Sequence, residues 1–91
     1  MTFTVHLREE ADNALQSLSK SDYDLCFAKL NALAENPYPG VGGDKEKLEG
    51  RNNLYRIHLS RTFTAIYQID KKKKRVCIKF FGRIGKAHKE Y

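Results

Sequence analysis

Residues 54–81, LYRIHLSRTFTAIYQIDKKKKRVCIKFF, contain three runs in which apolar side chains recur at every second position. The runs cover residues 54–59, 63–69 and 75–81, and short polar or charged segments connect them. This alternation is typical of β-strands, and such short connections join antiparallel neighbours. The stretch therefore predicts an antiparallel meander. Its apolar face is expected to carry Tyr55, Ile57, Leu59, Phe63, Ala65, Tyr67, Ile69, Val76, Ile78 and Phe80.

The residues before this stretch predict a first strand and two helices. Residues 2–7 alternate between polar and apolar side chains, and from Arg8 onward the apolar spacing becomes that of a helix. A second helical stripe follows Ser21, which together with Asp24 resembles a capping box. This second helix is expected to end near Asn36, because a proline disfavours helical geometry in the residue before it.

The predicted fold is α+β. It has an N-terminal strand and an antiparallel helical hairpin packed on one face of a curved, mainly antiparallel four-stranded sheet. Residues 1–91 are expected to form one such domain, with little room for an internal ligand cavity. Because the hairpin covers only one face of the sheet, the other face is expected to meet water. That open face carries Arg56, His58 and Lys79.

The basic residues are concentrated in the second half of the chain. Residues 1–44 contain three Lys or Arg and seven Asp or Glu, a net charge of −4, whereas residues 45–91 contain fourteen and four, a net charge of +10. This asymmetry indicates a polyanion or an acidic protein as partner. The five consecutive cations of residues 71–75 are expected to attract nucleic acid without forming a specific site.

Several classes of protein are disfavoured. No apolar run approaches the roughly 20 residues that span a bilayer, and the N-terminus lacks the features of a signal peptide, so no membrane partner is expected. Cys26 and Cys77 are far apart, which predicts free thiols and a cytoplasmic location. His6, His58 and His88 lack the spacing of metal ligands, so neither a metal nor another cofactor is expected.

The open face and the C-terminal tail contain the groups that metal-free RNA cleavage needs, namely a base, an acid and cations that stabilise the phosphorane. Imidazole titrates near neutrality, and a tyrosine can donate a proton or stack on a base. The alternative, a solvated polar face and a mobile basic terminus, stays open at this point. The candidate catalytic residues are Arg56, His58, Arg61, Arg83, His88 and Tyr91, and the candidate RNA-binding residues are Lys79, Lys86 and Lys89.

The order of motifs resembles the RelE/ParE family of type II toxins, and is most similar to its archaeal RelE-like members. KLEG and, three residues later, LYRIHL are followed by FTAIYQID, a charged turn, RVCIKFF and a tail of the form R-I-G-x-x-x-x-x-Y. A first strand, a hairpin containing ALQSL, and LAENPYPG precede them. The resemblance implies a toxin that enters the ribosomal A site, cuts mRNA without a metal, and is silenced by a short antitoxin with an acidic, amphipathic helix.

The resemblance also assigns residues. Arg56 and His58 match the basic positions of the family's central strand, and Tyr91 matches its C-terminal aromatic residue. Lys47 matches the basic residue that opens the KLEG motif and joins the candidate RNA-binding residues. Arg83 or Lys86 matches the basic position of the tail, depending on the gap.

Two positions depart from the family pattern. Thr64 and Ala87 stand where the family usually has arginine, and Arg61 is the candidate substitute for the first. The leading hypothesis is a ribosome-dependent mRNA endoribonuclease. The departures motivate a second hypothesis, a diverged relative that binds RNA or the ribosome without cutting. A third hypothesis is a ParE-like inhibitor of DNA gyrase on the same fold.

Overall fold

The computed structural model describes residues 2–40, 43–50 and 52–85. In these residues two helices pack against a five-stranded open sheet, which confirms the predicted α+β fold. The sheet has the strand order β1-β5-β4-β3-β2. The elements are β1 (Thr4–Leu7), α1 (Glu9–Gln16), α2 (Lys20–Ala32), β2 (Lys45–Lys47), β3 (Leu54–His58), β4 (Phe63–Asp70) and β5 (Arg75–Arg83).

The three C-terminal strands form the predicted antiparallel meander, with β4 between β3 and β5. Strand β1 completes the other side of the sheet by pairing in parallel with β5, so that Val5 lies opposite Val76 and Leu7 opposite Ile78. Parallel neighbours need a long connection, and the chain between β1 and β5 includes both helices and strands β2 to β4. The sheet is therefore mixed.

A fifth strand, β2, corrects the expected count of four. It consists of Lys45–Lys47 alone and pairs antiparallel with β3, so that Glu46 lies opposite Arg56. Three charged residues carry no apolar alternation, which is why the sequence pattern missed this strand. A short, lysine-bearing edge strand also discourages pairing with other chains.

The core lies between the helices and one sheet face, which we call the helix-covered face. Tyr67 is its largest fully buried side chain. The Tyr67 ring stacks on Tyr55 with the ring centroids 5.5 Å apart, and its hydroxyl donates a hydrogen bond of 2.6 Å to the carbonyl of Pro37. The core contains Ala11, Leu15, Cys26, Leu30, Leu33, Tyr55, Ile57, Leu59, Ala65, Tyr67, Ile69, Val76, Ile78 and Phe81.

The prediction that Phe80 belongs to the core is wrong, because a β-bulge interrupts β5. Tyr67 pairs with Ile78, but the preceding Ile66 pairs with Phe80, so Lys79 has no opposite residue. The extra residue shifts the alternation of β5 by one position beyond it. Phe81 therefore takes the core position at 4% exposure.

Phe80 consequently lies on the opposite face of the sheet, where its ring covers Gly82. A Cβ atom at Gly82 would lie 2.8 Å from Cζ of Phe80, which is closer than two carbon atoms pack. Any larger residue at this position would have to displace the ring. Glycine at position 82 is thus explained by the close approach of Phe80.

Helix α2 begins two residues earlier than the capping pattern predicts. Ser19, not Ser21, is the N-cap, and its Oγ accepts a hydrogen bond of 3.4 Å from the backbone N–H of Asp22. The helix ends at Ala32, and a turn then leads to Asn36. Within the residues that the structure describes, no helix is long and apolar enough to cross a membrane.

Replacing the cap is expected to destabilise the protein measurably. Ser19→Ala should lower the free energy of unfolding by about 1 kcal/mol, because the N–H of Asp22 loses its acceptor. Ser21→Ala is the matched control and should change stability by less than about 0.5 kcal/mol. Urea unfolding followed by circular dichroism measures both changes. Equal effects of the two substitutions would contradict the assignment of Ser19 as the cap.

Candidate nucleic-acid interface

The sheet face opposite the helices, which we call the outer face, carries two of the predicted site residues side by side. Arg56 and His58 alternate along β3 with the core residues Tyr55 and Ile57, so both occupy the outer face. Both are partly exposed. From β3 to β5, the rungs of this face are Leu54–Gln68–Cys77, Arg56–Ile66–Phe80 and His58–Thr64–Gly82.

Arg56 is held in place by a carboxylate from the edge strand. Its Nε donates a hydrogen bond of 2.7 Å to Oε1 of Glu46, and its Nη2 contacts the same oxygen. The Arg56 side chain is only 20% exposed, whereas that of Glu46 is 47% exposed. One carboxylate oxygen cannot occupy all the N–H donors of a guanidinium group, so Arg56 keeps donors for a further anion. The sequence did not indicate Glu46 as a site residue, because only the pairing of β2 with β3 brings it beside Arg56.

The apolar surroundings of Arg56 strengthen its electrostatic attraction for an anion. Ile66, the neighbour of Arg56 in the same rung, is 1% exposed, and Phe80 completes that rung. Electrostatic attraction is stronger beside such low-dielectric material than in water. A phosphate at this rung would therefore meet a well-positioned guanidinium group on an apolar floor.

The next rung explains what replaces the usual arginine of the family pattern. Thr64 is fully buried, and its Oγ1 donates a hydrogen bond of 2.8 Å to the carbonyl of Ile57. The side chain thus stabilises the pairing of β3 with β4 and leaves no hydroxyl donor for a ligand. His58 lies opposite Thr64 and is the titratable residue of this rung.

Arg61 lies in the turn between β3 and β4, at the end of the sheet where His58 lies. Oγ of Ser60 orders the turn by accepting hydrogen bonds of 3.1 Å from the backbone N–H groups of Thr62 and Phe63. The Arg61 side chain is exposed. The structure therefore presents Arg61 at the rim of the outer face, three residues before Thr64 in the chain.

The structure does not bring all the described candidates to the outer face. Lys47 pairs with Tyr55 and Arg83 pairs with Phe63, so both occupy register positions of the helix-covered face, at its margins. Lys79 is the extra residue of the bulge and lines a depression at the β1 edge. Regular alternation along β5 predicted Lys79 beside Arg56 and His58. The bulge instead leaves Lys79 outside the rungs of these two residues.

Four candidate residues lie outside the residues that the structure describes. They are Lys86, His88, Lys89 and Tyr91, and their proposed roles stay predictions. Within residues 2–40, 43–50 and 52–85, no group of three or more His, Cys, Asp or Glu side chains could hold a metal ion.

The Arg56–His58 pair can support phosphate chemistry. Successive outer-face positions of a strand are about 7 Å apart, so Arg56 and His58 are close enough to contact the same nucleotide. Arginine suits bidentate contact with phosphate oxygens, and imidazole can accept or donate a proton near neutral pH. Glu46 partly neutralises this site, because its carboxylate contacts Arg56 directly.

Removing the carboxylate of Glu46 is expected to strengthen RNA binding. Glu46→Gln should raise the affinity for single-stranded RNA about two- to fivefold, because an RNA phosphate no longer competes with a half-exposed ion pair. Glu49→Gln is the matched control, since Glu49 forms no ion pair within the described part of the chain. Fluorescence anisotropy at low salt measures both affinities. Equal gains for the two variants would show that only net charge matters.

The chain is similar to solved structures of RelE proteins. It shares 32% identity and a TM-score of 0.78 with a chain of the archaeal RelE–RelB complex from Pyrococcus horikoshii OT3, covering 93% of this chain and 98% of that chain. A mutant of Escherichia coli toxin RelE in the free state shares 21% identity with a TM-score of 0.77, over 97% and 90% of the two chains. The Mycobacterium tuberculosis RelBE2 complex shares 16% identity with a TM-score of 0.71, over 91% and 99%. The last two similarities show the fold alone. No protein-family model and no curated protein matches the chain.

Proposed function

Because this chain belongs to the RelE family of toxins from toxin–antitoxin systems, we propose that it cuts messenger RNA in the ribosomal A site without a metal ion. The observation that carries the proposal is the placement of Arg56 and His58 side by side on the sheet face that the helices leave uncovered. A cation for the phosphate and an imidazole for the proton are two of the groups that this chemistry requires.

The reaction begins when the 2′-hydroxyl oxygen attacks the neighbouring phosphorus and loses its proton to a base. The bond from phosphorus to the 5′-oxygen then breaks, and an acid protonates the leaving oxygen. The products are a 2′,3′-cyclic phosphate and a new 5′-hydroxyl end. Arg56 stabilises the charge of the phosphorane in this proposal, and His58 serves as the base or the acid.

The remaining groups come from the rim and the tail. Arg61 supplies a second cation from the turn at the His58 end of the sheet. His88 or Tyr91 provides the partner for proton transfer, and Lys86, Lys89 and Lys79 bind the RNA backbone. Lys47 and Arg83 contribute from the margins of the sheet, where they strengthen the electrostatic attraction of RNA.

A cognate antitoxin is the second proposed partner. Helix α2 exposes apolar side chains on two different sides, since Leu25 is 46% and Phe27 is 45% exposed and residues two apart in a helix do not face each other. On one of these sides Phe27 stacks on Tyr23 with the ring centroids 5.6 Å apart, so the two rings form one aromatic surface. An amphipathic antitoxin helix with acidic residues would bury this surface and complement the net charge of +10 in residues 45–91.

One observation favours an alternative, a relative that binds RNA or the ribosome without cutting. Thr64 occupies a position where the family usually has arginine, and its hydroxyl is fully used in a bond to the carbonyl of Ile57. The outer face then holds fewer cations around the phosphate than the resemblance implies. The alternative and the main proposal differ in whether mRNA is broken.

The proposal is tested in a translating extract by mapping new 5′-hydroxyl ends on ribosome-bound mRNA. We expect cleavage to occur within A-site codons, to persist in the presence of a chelator, and to be absent from naked mRNA. Arrested translation with intact mRNA would support the non-cutting alternative. A DNA gyrase supercoiling assay is run in parallel, and inhibition there with intact mRNA would indicate a ParE-like function instead.

A further inference from the structure

A second basic depression lies on the outer face, at the end opposite Arg61. We call it the hairpin cleft, because it adjoins the turn between β4 and β5. Its volume is about 460 Å³. It is lined by Asn53, Gln68, Ile69, Asp70, Lys71, Lys72, Arg75 and Cys77.

We propose that the hairpin cleft is a second binding site for the RNA backbone, which takes a phosphodiester group of the same strand that Arg56 and His58 engage. This inference deepens the proposed function and rests on it, because it takes the bound polymer to be RNA. The cleft would position the strand and would take no part in the chemical step. Backbone contacts of this kind position a nucleic acid without reading its sequence.

The cleft and the Arg56–His58 pair share one continuous surface. Gln68 lies in the rung between Leu54 and Cys77, which is the rung next to that of Arg56 and Ile66. Adjacent rungs of one face are separated by two residues, or about 7 Å. An extended RNA strand that runs along β3 and β4 from Arg61 past Arg56 would therefore reach the cleft.

Four side chains of the cleft have donors that the described part of the protein does not use. Within the described part of the chain, the side chains of Lys72, Arg75, Gln68 and Asn53 form no ion pair and no hydrogen bond. Asn53 is nevertheless fixed, since it adopts a positive φ of 59° and its carbonyl accepts a hydrogen bond of 3.2 Å from Ile69. Two cations and two amides that face one depression match the acceptor oxygens of a phosphodiester.

The carboxylate in the cleft does not cancel its charge. Oδ1 of Asp70 accepts a hydrogen bond of 3.1 Å from the backbone N–H of Lys73, which ties the carboxylate to the turn. Lys72 and Arg75 line the same depression, as does Lys71, whose Nζ lies 5.8 Å from the ring centroid of Tyr38. The cleft therefore keeps an excess of positive charge.

The cations of residues 71–75 do not form one undivided solvated group. Lys74 places Nζ 5.5 Å from the ring centroid of Phe3, and Lys73 does not line the cleft. Lys72 and Arg75 do line it. The turn thus contains both cleft cations and a neighbouring cation outside the cleft, which makes a matched comparison available in the same five residues.

Binding of single-stranded RNA tests the inference, with 2′-O-methyl RNA of about eight nucleotides so that cleavage cannot interfere. The double variant Lys72→Gln/Arg75→Gln should bind about tenfold more weakly, and its salt dependence should lose about 0.7 in the slope of log K against log salt, the value for one phosphate of a single strand. In the matched pair of single variants, Lys72→Gln should bind several-fold more weakly than Lys73→Gln. Equal losses for Lys72→Gln and Lys73→Gln would overturn the inference, because they would indicate general attraction by the turn.

The two cysteines provide a footprint of the cleft. Cys77 lines the cleft and is partly exposed, whereas Cys26 is fully buried and its burial raises the pKa of its thiol. Iodoacetamide should therefore modify Cys77 first, as mass spectrometry can show. Bound RNA should slow that modification at least about threefold in the parental protein, and should protect less in the double variant at equal RNA occupancy. Unchanged alkylation with RNA bound would place the strand elsewhere and overturn the inference.

These results are separable from the proposed function. If bound RNA protects Cys77 in the parental protein but mRNA stays intact in the translating extract, the inference about the hairpin cleft stands and the nuclease proposal is wrong. Cleavage of mRNA without any contribution of Lys72 and Arg75 to binding would do the reverse.

Discussion

Replacing Arg56 with alanine is expected to lower the rate of mRNA cleavage in a translating extract about 10²- to 10³-fold. Arg56 lies at the centre of the outer face, its side chain is 20% exposed, and the buried Ile66 lies beside it. A guanidinium group fixed in apolar surroundings stabilises developing charge strongly, because it needs little reorganisation. Primer extension on ribosome-bound mRNA, followed over time, measures the rate.

Two further variants separate the possible causes of that loss. Arg56→Lys keeps the charge but not the planar, bidentate donor, so we expect it to recover only part of the rate. Lys20→Ala removes one charge from helix α2, where Lys20 is 89% exposed and paired with Asp24, and it should cleave at the parental rate. If both Arg56→Ala and His58→Ala cut mRNA as fast as the parental protein, the proposed site would be wrong.

Truncating Tyr67 is expected to have the largest effect on stability. Tyr67→Ala should lower the free energy of unfolding by about 3–5 kcal/mol, because a fully buried ring and its stacking on Tyr55 are lost. Tyr67→Phe keeps the ring but leaves the carbonyl of Pro37 without its donor, which should cost about 1–3 kcal/mol. Tyr23→Phe is the control, since the Tyr23 hydroxyl has no hydrogen bond in the described part of the chain. Urea unfolding measures all three, and equal effects of Tyr67→Phe and Tyr23→Phe would contradict the role of the buried hydroxyl.

The same hydroxyl predicts a pH dependence. Burial, with smaller contributions from Tyr55 and Asp44, raises the pKa of Tyr67 above its usual range. A phenol with a raised folded-state pKa stabilises the fold fully below its unfolded pKa of about 10, and this contribution is lost as the pH rises above that value. Stability should therefore fall above about pH 10 more steeply in the parental protein than in Tyr67→Phe, by up to about 1.4 kcal/mol per pH unit. Identical slopes would show that Tyr67 ionises as easily in the folded protein as in the unfolded chain.

The strands of the meander were predictable because their side chains repeat with a clear period. Strand β4 was predicted at 63–69 and lies at Phe63–Asp70, and Tyr55 and Ile57 of β3, which were predicted on the apolar face, entered the core. The errors arose where local pattern has no direct signal. Ser19 and Ser21 are equally good caps by residue type, and only the geometry of the helix start selects Ser19. Phe80 and Phe81 are chemically identical neighbours, and the bulge decides which of them is buried.

The positions of the candidate site residues were predictable to a similar degree. Alternation along β3 was enough to place Arg56 and His58 on one face. It could not reveal Glu46, because an ion pair across two strands depends on their register, and β2 has no apolar alternation that would define it. The hairpin cleft was missed for a related reason. Residues 71–75 look like uniform charge in sequence, and the folded turn directs only some of them into a depression.

The sequence by itself determined the order of the meander, the burial of Tyr55, Ile57 and Tyr67, and the concentration of positive charge in residues 45–91. These features follow from side-chain type and from a period of two or of about 3.6 residues, which are local properties of the chain. The tertiary structure alone decided the partner of Arg56 and the division of the basic turn into cleft and solvent. Both depend on which strands meet and in what register, and register is set by packing between segments that are distant in sequence.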